Sequence, residues 1–213
     1  MNLEKYIDHT LLSPSATVDE IKRLCDEAKI YGFYAVCVNS CYVELAVEEL
    51  KGSSIKVAAV AGFPLGAMAT EVKIAEAIYC IENGADEIDV VMNIGWFKSG
   101  MYDQVKNELA KIKEGIGDAV LKVIIETSYL LDEEKFKASQ LVHASGADFV
   151  KTSTGFGGGG ATMEDVVLMK NAVKDKIRIK ASGGIRDRET AVRYIEMGVA
   201  RLGTSSGVKL ISS

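Results

Sequence analysis

Gly146-Ala147-Asp148-Phe149-Val150-Lys151-Thr152-Ser153-Thr154-Gly155 carries the pattern on which the fold turns. A glycine stops one helix, a short apolar run follows, and a lysine ends that run just before hydroxyls and a glycine. The run reads as a strand built to be buried, as in a sheet covered on both faces. Gly84-Ala85-Asp86 bridges a helix to a strand in the same way, leading into Glu87-Ile88-Asp89-Val90-Val91-Met92. The echo marks a repeating strand-then-helix unit.

Reading toward the N-terminus, Tyr6 to Leu12 gives a short first strand. Thr17-Val18-Asp19-Glu20 matches a capping box, and Val18, Ile21, Leu24, Cys25 and Ala28 follow at helical spacing, so a helix is expected over Thr17 to Tyr31 with Gly32 as its stop. Phe33 to Val38, Lys56 to Ala61, the run holding Asp89 and Leu121 to Glu126 are the next four strands. The helices between them hold Val43 to Leu50, Thr70 to Asn83 with Val72, Ala75, Ile78 and Ile81 inward, and Tyr102 to Ile112. Asp132 to Ser145 is the helix before Lys151, with Phe136, Leu141 and Val142 inward. Met163 to Val173 and Asp187 to Met197 flank a seventh strand over Ile177 to Ala181, and Gly198 to Gly203 supplies an eighth before a helix cut short. Eight units with no linker in 213 residues predict an α/β protein, a (β/α)8 TIM barrel in a single domain spanning 1–213. A doubly wound open sheet is the rival architecture; the unit count favours the barrel.

The bulk chemistry narrows the partners. A formal charge of -5 gives no basic face for nucleic acid. Cys25, Cys37, Cys41 and Cys80 form no CxxC pair and have no histidine at finger spacing, so no metal site is expected, and free thiols suit a reducing cytoplasm. The N-terminus lacks a basic start followed by an apolar core, and no apolar run has the length of a membrane span. A soluble cytoplasmic protein is expected.

If the barrel closes, its active groups belong at the C-terminal ends of the strands, where Asp89, Lys151 and Lys180 converge. Alternation along the seventh strand turns Ile177 and Ile179 toward the helices and Arg178, Lys180 and Ser182 toward the barrel interior. A lysine that attacks a carbonyl needs its free amine, and at the ordinary pKa of about 10.4 less than about a thousandth is free at pH 7. A second ammonium at about 4 Å disfavours protonation by about 4 kcal/mol at an effective dielectric near 20, and burial acts in the same direction. Two lysines therefore suit imine chemistry, one as nucleophile and one staying charged, with Asp89 moving protons. The plain alternative is a buried Asp-Lys pair that fills the barrel.

Ser182-Gly183-Gly184 and Gly203-Thr204-Ser205-Ser206 follow the last two strands, where barrels commonly bind phosphate; glycine admits a close backbone, and the Ser205 and Ser206 hydroxyls add donors. Ordinary βα turns favour the same residues. Gly155-Phe156-Gly157-Gly158-Gly159-Gly160 spells GxGxxG, but the next strand ends Lys180-Ala181-Ser182 without the acidic residue a nicotinamide site requires, so a mobile loop over the site is the better reading. His9 is expected beside the first strand end and His143 on a solvated helix face.

These residues together resemble the deoxyribose-phosphate aldolase family: KTSTGF at Lys151 to Phe156, KASGGI at Lys180 to Ile185, EIDVVMNIG at Glu87 to Gly95 and IDHTLL at Ile7 to Leu12. The resemblance runs from the first strand to Ser206. It implies a cofactor-free class I aldolase that cleaves 2-deoxy-D-ribose 5-phosphate to D-glyceraldehyde 3-phosphate and acetaldehyde, working as a homo-oligomer. It also implies that Lys151 forms the Schiff base and that Asp89 and Lys180 relay protons. Thr154, Gly183, Gly184, Gly203, Ser205 and Ser206 would hold the substrate and its phosphate, and Asp8, Thr10 and Cys37 match positions lining the pocket, Cys37 serving equally well as plain core. The chain has Phe156 where some members carry a lysine, and it stops short of the C-terminal tail that closes the pocket in others. Another imine-forming barrel with a different donor, or a noncatalytic barrel that binds sugar phosphates, stays open at this point.

Overall fold

The computed structural model describes residues 1–212; Ser213, the end of the expected domain, lies outside the described residues. Eight parallel strands, β1 (Ile7–Leu11), β2 (Ala35–Val38), β3 (Lys56–Ala61), β4 (Glu87–Val91), β5 (Val120–Ile124), β6 (Phe149–Lys151), β7 (Arg178–Ser182) and β8 (Arg201–Thr204), close in sequence order into a barrel. Around it run α1 (Val18–Tyr31), α2 (Val43–Glu49), α3 (Thr70–Glu82), α4 (Ile94–Lys98), α5 (Tyr102–Ile116), α6 (Asp132–Ala144), α7 (Met163–Val173), α8 (Arg188–Glu196) and the short α9 (Gly207–Ser212). The expected (β/α)8 barrel is what forms, and the open sheet is ruled out by the β1–β8 pairing.

Local chemistry explains where the elements begin. Thr17 caps α1 by accepting the Glu20 amide at 3.3 Å, and the Glu20 carboxylate accepts the Thr17 amide at 2.8 Å, a complete capping box. The two Gly-Ala-Asp stretches do the same job at the barrel floor. Asp86 accepts the Val57 amide at 2.9 Å and the Lys56 ammonium at 2.7 Å. Asp148 accepts the Leu121 amide at 2.9 Å and the Lys113 ammonium at 2.8 Å. Each aspartate thus ties the start of its own strand to the start of the preceding one.

The apolar core lies between barrel and helices. Ile88, Val90, Leu121, Val123, Val150, Ile179 and Leu202 face outward into it, while the alternate positions of the same strands face in. Those inward positions hold Asp8, Glu87, Asp89, Lys122, Lys151, Lys180 and Arg201, all buried. A barrel interior is ordinarily filled by branched apolar residues. Here charge fills much of it, beside a small apolar patch of Leu12, Cys37, Ala58 and Val60.

Several expectations need correction. The buried face of α3 is Lys73, Ala77 and Cys80, while Val72 and Ala75 are exposed. The cause is a buried ion pair: the Lys73 ammonium donates to Glu108 at 2.7 Å and to the Val91 carbonyl at 2.9 Å, which turns the helix away from its most apolar stripe. Val18 is half-exposed in the first turn of α1, Phe136 is only partly buried, and α4 was not anticipated. β5 ends at Ile124; Glu126, expected as its last residue, has left-handed backbone at φ 52°.

Candidate active site

Strand register brings the predicted lysines together. Lys151 and Lys180 are partners across β6 and β7, and Asp89 is the partner of Lys122 across β4 and β5. Lys151 donates to Asp89 Oδ2 at 2.7 Å and Lys180 donates to the same oxygen at 2.8 Å, so the two nitrogens are separated by no more than those two contacts combined. Asp89 Oδ1 accepts Lys122 at 2.7 Å. Below this layer, Lys122 reaches Glu87 at 2.6 Å, Lys180 donates to Asp8, and Arg201 bridges Asp8 at 2.6 Å and Glu87 at 3.1 Å. The guanidinium stacks on the Tyr34 ring at 3.4 Å.

Sequence reading missed Lys122, Glu87 and Arg201. The signal was available: Leu121-Lys122-Val123 and Glu87-Ile88-Asp89 show the alternation that identified Lys180.

Four cations thus face three carboxylates in a buried layer of the barrel. Burial disfavours every charge, so the arrangement is balanced only when one amine is neutral. Three of the cations are held charged. Burial opposes the Lys180 ammonium, but Asp8 and Asp89 outweigh it and raise its pKa; Asp89 does the same for Lys122, and Asp8 and Glu87 for Arg201. Lys151 alone moves the other way. Burial pushes its pKa down, the Lys180 ammonium adds to the push, and Asp89 only partly opposes them. The sequence argument gave the neighbouring ammonium the leading part; desolvation has it. Asp89 stays ionised, because the three lysines outweigh its burial and hold it well below the usual carboxylate range.

The balance is testable at Lys122, which does not line the cavity. Replacing Lys122 with methionine leaves three carboxylates against two fixed cations, so Lys151 should keep its proton and its capture by an aldehyde should slow about tenfold at pH 7, one pKa unit. Adding Glu87→Gln restores the balance and should return the pH profile toward the parent. The measurement is the pH dependence of borohydride trapping of an acetaldehyde adduct.

A cavity of about 420 Å³ opens at the C-terminal end of the barrel. Lys151 is the one member of the charge cluster that lines it, at 3% exposure. Thr10, Thr154, Gly183, Gly184, Gly203, Ser205 and Ser206 line it, and Arg186, not anticipated, adds a cation beside the glycine loops. Asp8 and Cys37 do not line it. Asp8 lies fully buried below, paired with Lys180 and Arg201, and Cys37 packs with Leu12, Ala58 and Val60 inside the barrel, where burial and the Asp89 carboxylate push its thiol pKa up. Gly203 has to be glycine, since a Cβ there would come within 2.9 Å of Ser182 Cβ and 3.1 Å of Lys180 Cε. The last two loops are joined by Thr204, which donates to the Ile185 carbonyl at 2.8 Å and accepts the Ser206 amide at 2.9 Å.

The glycine run after Phe156, expected as a mobile loop, is tied to its neighbours. Ser128 donates to the Gly157 carbonyl at 3.1 Å, and the Ala161 amide donates to Ser182 and Gly183 carbonyls at 3.1 Å each. Phe156 meets Phe63 edge-on at 5.4 Å at the rim. The Glu27 carboxylate accepts from the His9 ring Nε2 at 2.7 Å outside the cavity, and His143 is partly buried rather than solvated.

Comparison with known proteins agrees with this chemistry. The family model described as DeoC/LacD family aldolase matches residues 3–210. A deoxyribose-phosphate aldolase of Caldanaerobacter subterraneus subsp. tengcongensis is 54% identical over 99% of this chain and 93% of its own length. One of Thermococcus gammatolerans is 55% identical over 99% and 96%. Among solved structures, a tetrameric deoxyribose phosphate aldolase from Aeropyrum pernix superposes with a TM-score of 0.90 at 35% identity, covering 99% of this chain and 90% of that one.

Proposed function

The chain belongs to the DeoC/LacD family of aldolases, and from that premise we propose that it is a class I deoxyribose-phosphate aldolase in which Lys151 forms the Schiff base. The observation that carries the reading is the unbalanced amine: one lysine, depressed in pKa and reaching the cavity, above a cluster whose other charges cancel.

The Lys151 amine adds to the C1 aldehyde of the open-chain 2-deoxy-D-ribose 5-phosphate, and the carbinolamine loses water to give an iminium. A base takes the proton from the C3 hydroxyl, the C2–C3 bond breaks, and its electron pair passes into the enamine while C3 leaves as the aldehyde of D-glyceraldehyde 3-phosphate. Protonation of the enamine at C2 and hydrolysis then release acetaldehyde and the free amine. Asp89, hydrogen-bonded to both Lys151 and Lys180, carries the protons with Lys180, directly or through water. Gly183, Gly184, Gly203, Ser205 and Ser206 offer amides and hydroxyls to the phosphate, Arg186 a positive charge, and Thr10 and Thr154 their hydroxyls to the sugar.

Acetaldehyde with borohydride should leave an ethyl group on Lys151, located by peptide mass mapping, and a coupled assay should register glyceraldehyde 3-phosphate from deoxyribose 5-phosphate. An adduct on another lysine, or turnover only with dihydroxyacetone-type donors, would assign a different aldolase.

A cytoplasmic location is supported by four free cysteines, three of them buried, which suit a reducing compartment. No described helix is long and apolar enough to cross a membrane. A homo-oligomer is supported by half-exposed Val72 and Tyr79, two turns apart on α3, and by the tetrameric Aeropyrum pernix relative.

A further inference from the structure

Glu126 is the one buried residue, other than glycine, whose backbone is left-handed; Lys174 and Asp175, the other two among the described residues, lie in a turn after α7. A side chain in that region is strained and persists where its surroundings demand it. The surroundings here are the loop that follows Lys151. The Glu126 carboxylate accepts the Thr154 amide at 3.2 Å and the Thr154 hydroxyl, and that hydroxyl accepts the Phe156 amide at 3.0 Å. The backbone of Gly157 presses so closely on the carboxyl that a Cβ there would lie 2.7 Å from Glu126 Cδ. Among the described residues no cation sits within ion-pair distance of Glu126, which is 1% exposed. A carboxylate buried without a counter-ion is expensive, and its hydrogen bonds to Thr154 are its only visible return.

We propose that Glu126 is a positioning residue, whose carboxyl holds Thr154, Gly155 and Phe156 against the cavity and so sets affinity for the three-carbon phosphate half of the substrate. It acts through Thr154 and leaves the formation of the Lys151 imine alone. The far end of the same loop rests on the Gly183 carbonyl, a Cβ on Gly160 meeting it at 2.4 Å, so the seat of Gly157 on Glu126 also bears on the glycines offered to the phosphate. Burial pushes the Glu126 carboxyl up, and the Thr154 donors, with a smaller contribution from Lys151, only partly offset it, so the Thr154 hydrogen bonds are the largest stabilisation its anion has. The proposal rests on the aldolase reading, and the test separates the two.

Glu126→Gln keeps the size of the side chain and removes the charge. The KM for deoxyribose 5-phosphate should rise about tenfold or more, the scale of a lost charge-assisted hydrogen bond. Exchange of the acetaldehyde methyl protons with deuterated water, which needs the imine and its proton relay but not the phosphate half, should stay within about twofold of the parent. Glu126→Asp, which retains the carboxylate, should recover part of the KM. Should Glu126→Gln fail to fold, Gly157→Ala strains the same contact from the loop side and should raise KM in the same way with exchange intact. An unchanged KM in both variants, or exchange that falls in step with cleavage, overturns the proposal while the parent's activity upholds the aldolase; a parent that neither exchanges nor cleaves removes both.

Discussion

A Lys151→Met protein should melt at a higher temperature than its parent and cleave deoxyribose 5-phosphate slower by about 10⁴ or more, the usual consequence of deleting a covalent nucleophile. The stability half follows from the sign of the pKa shift. The folded state lowers the pKa of Lys151 from the ordinary lysine value, so the unfolded chain binds that proton more tightly. The lysine therefore destabilises the fold at any pH below its unfolded pKa, to an extent that grows as pH falls toward the folded value and is constant beneath it. Methionine fills similar volume, carries no proton, and leaves three carboxylates with three cations. The gain should be present near neutrality and should vanish above about pH 10.4, the unfolded value. Melting curves at the two pH values measure it. A variant that melts lower than the parent at pH 7 would mean that Lys151 is an ordinary ion-pair partner, and the depressed amine would go with it.

The opposite result is expected at Asp89. Asp89→Asn leaves Lys122, Lys180 and Lys151 around a neutral amide, and breaking a buried ionic network by removing one partner costs about 3–5 kcal/mol. Loss of a positioned proton-transfer group costs a further factor of about 10² to 10⁴ in rate. A second change sorts the two effects. Adding Lys122→Met to Asp89→Asn removes a stranded cation, so denaturant midpoints should move back toward the parent while turnover stays low. If turnover returned with stability, Asp89 would be only a counter-ion. Asp89 has a depressed pKa, so its contribution to stability is present above the ordinary aspartate value and is lost as pH falls through the folded one. Acid unfolding of the parent should therefore set in at lower pH than in variants that loosen the cluster.

Much of this was legible in the sequence because the barrel repeats one pattern. Six of the eight strands follow a glycine, at Gly32, Gly52, Gly84, Gly117, Gly146 and Gly198, and the β7 alternation placed Lys180 inward correctly. Lys122, Glu87 and Arg201 escaped because a single charge inside an apolar run looks like the end of a strand until its neighbours' registers are known. The face of α3 escaped for a different reason. Hydrophobic periodicity cannot see that Lys73 has a carboxylate waiting on α5, and that pair outweighs the apolar stripe. Glu126 left no compositional mark at all, since a left-handed residue after a strand would be expected to be glycine. Asp8 was found through the resemblance and Cys37 likewise, but the layer each occupies needed coordinates.

The paired aspartates at the start of β4 and β6 bear on how this scaffold tolerates change. Asp86 and Asp148 rivet adjacent staves together at the end opposite the opening, so the tightening of the cask is done where no chemistry happens. The rim is left to vary. Loops around the opening can be exchanged to admit other aldehydes without loosening the hoops beneath them, which gives an engineer a mouth to rebuild and a base to leave untouched.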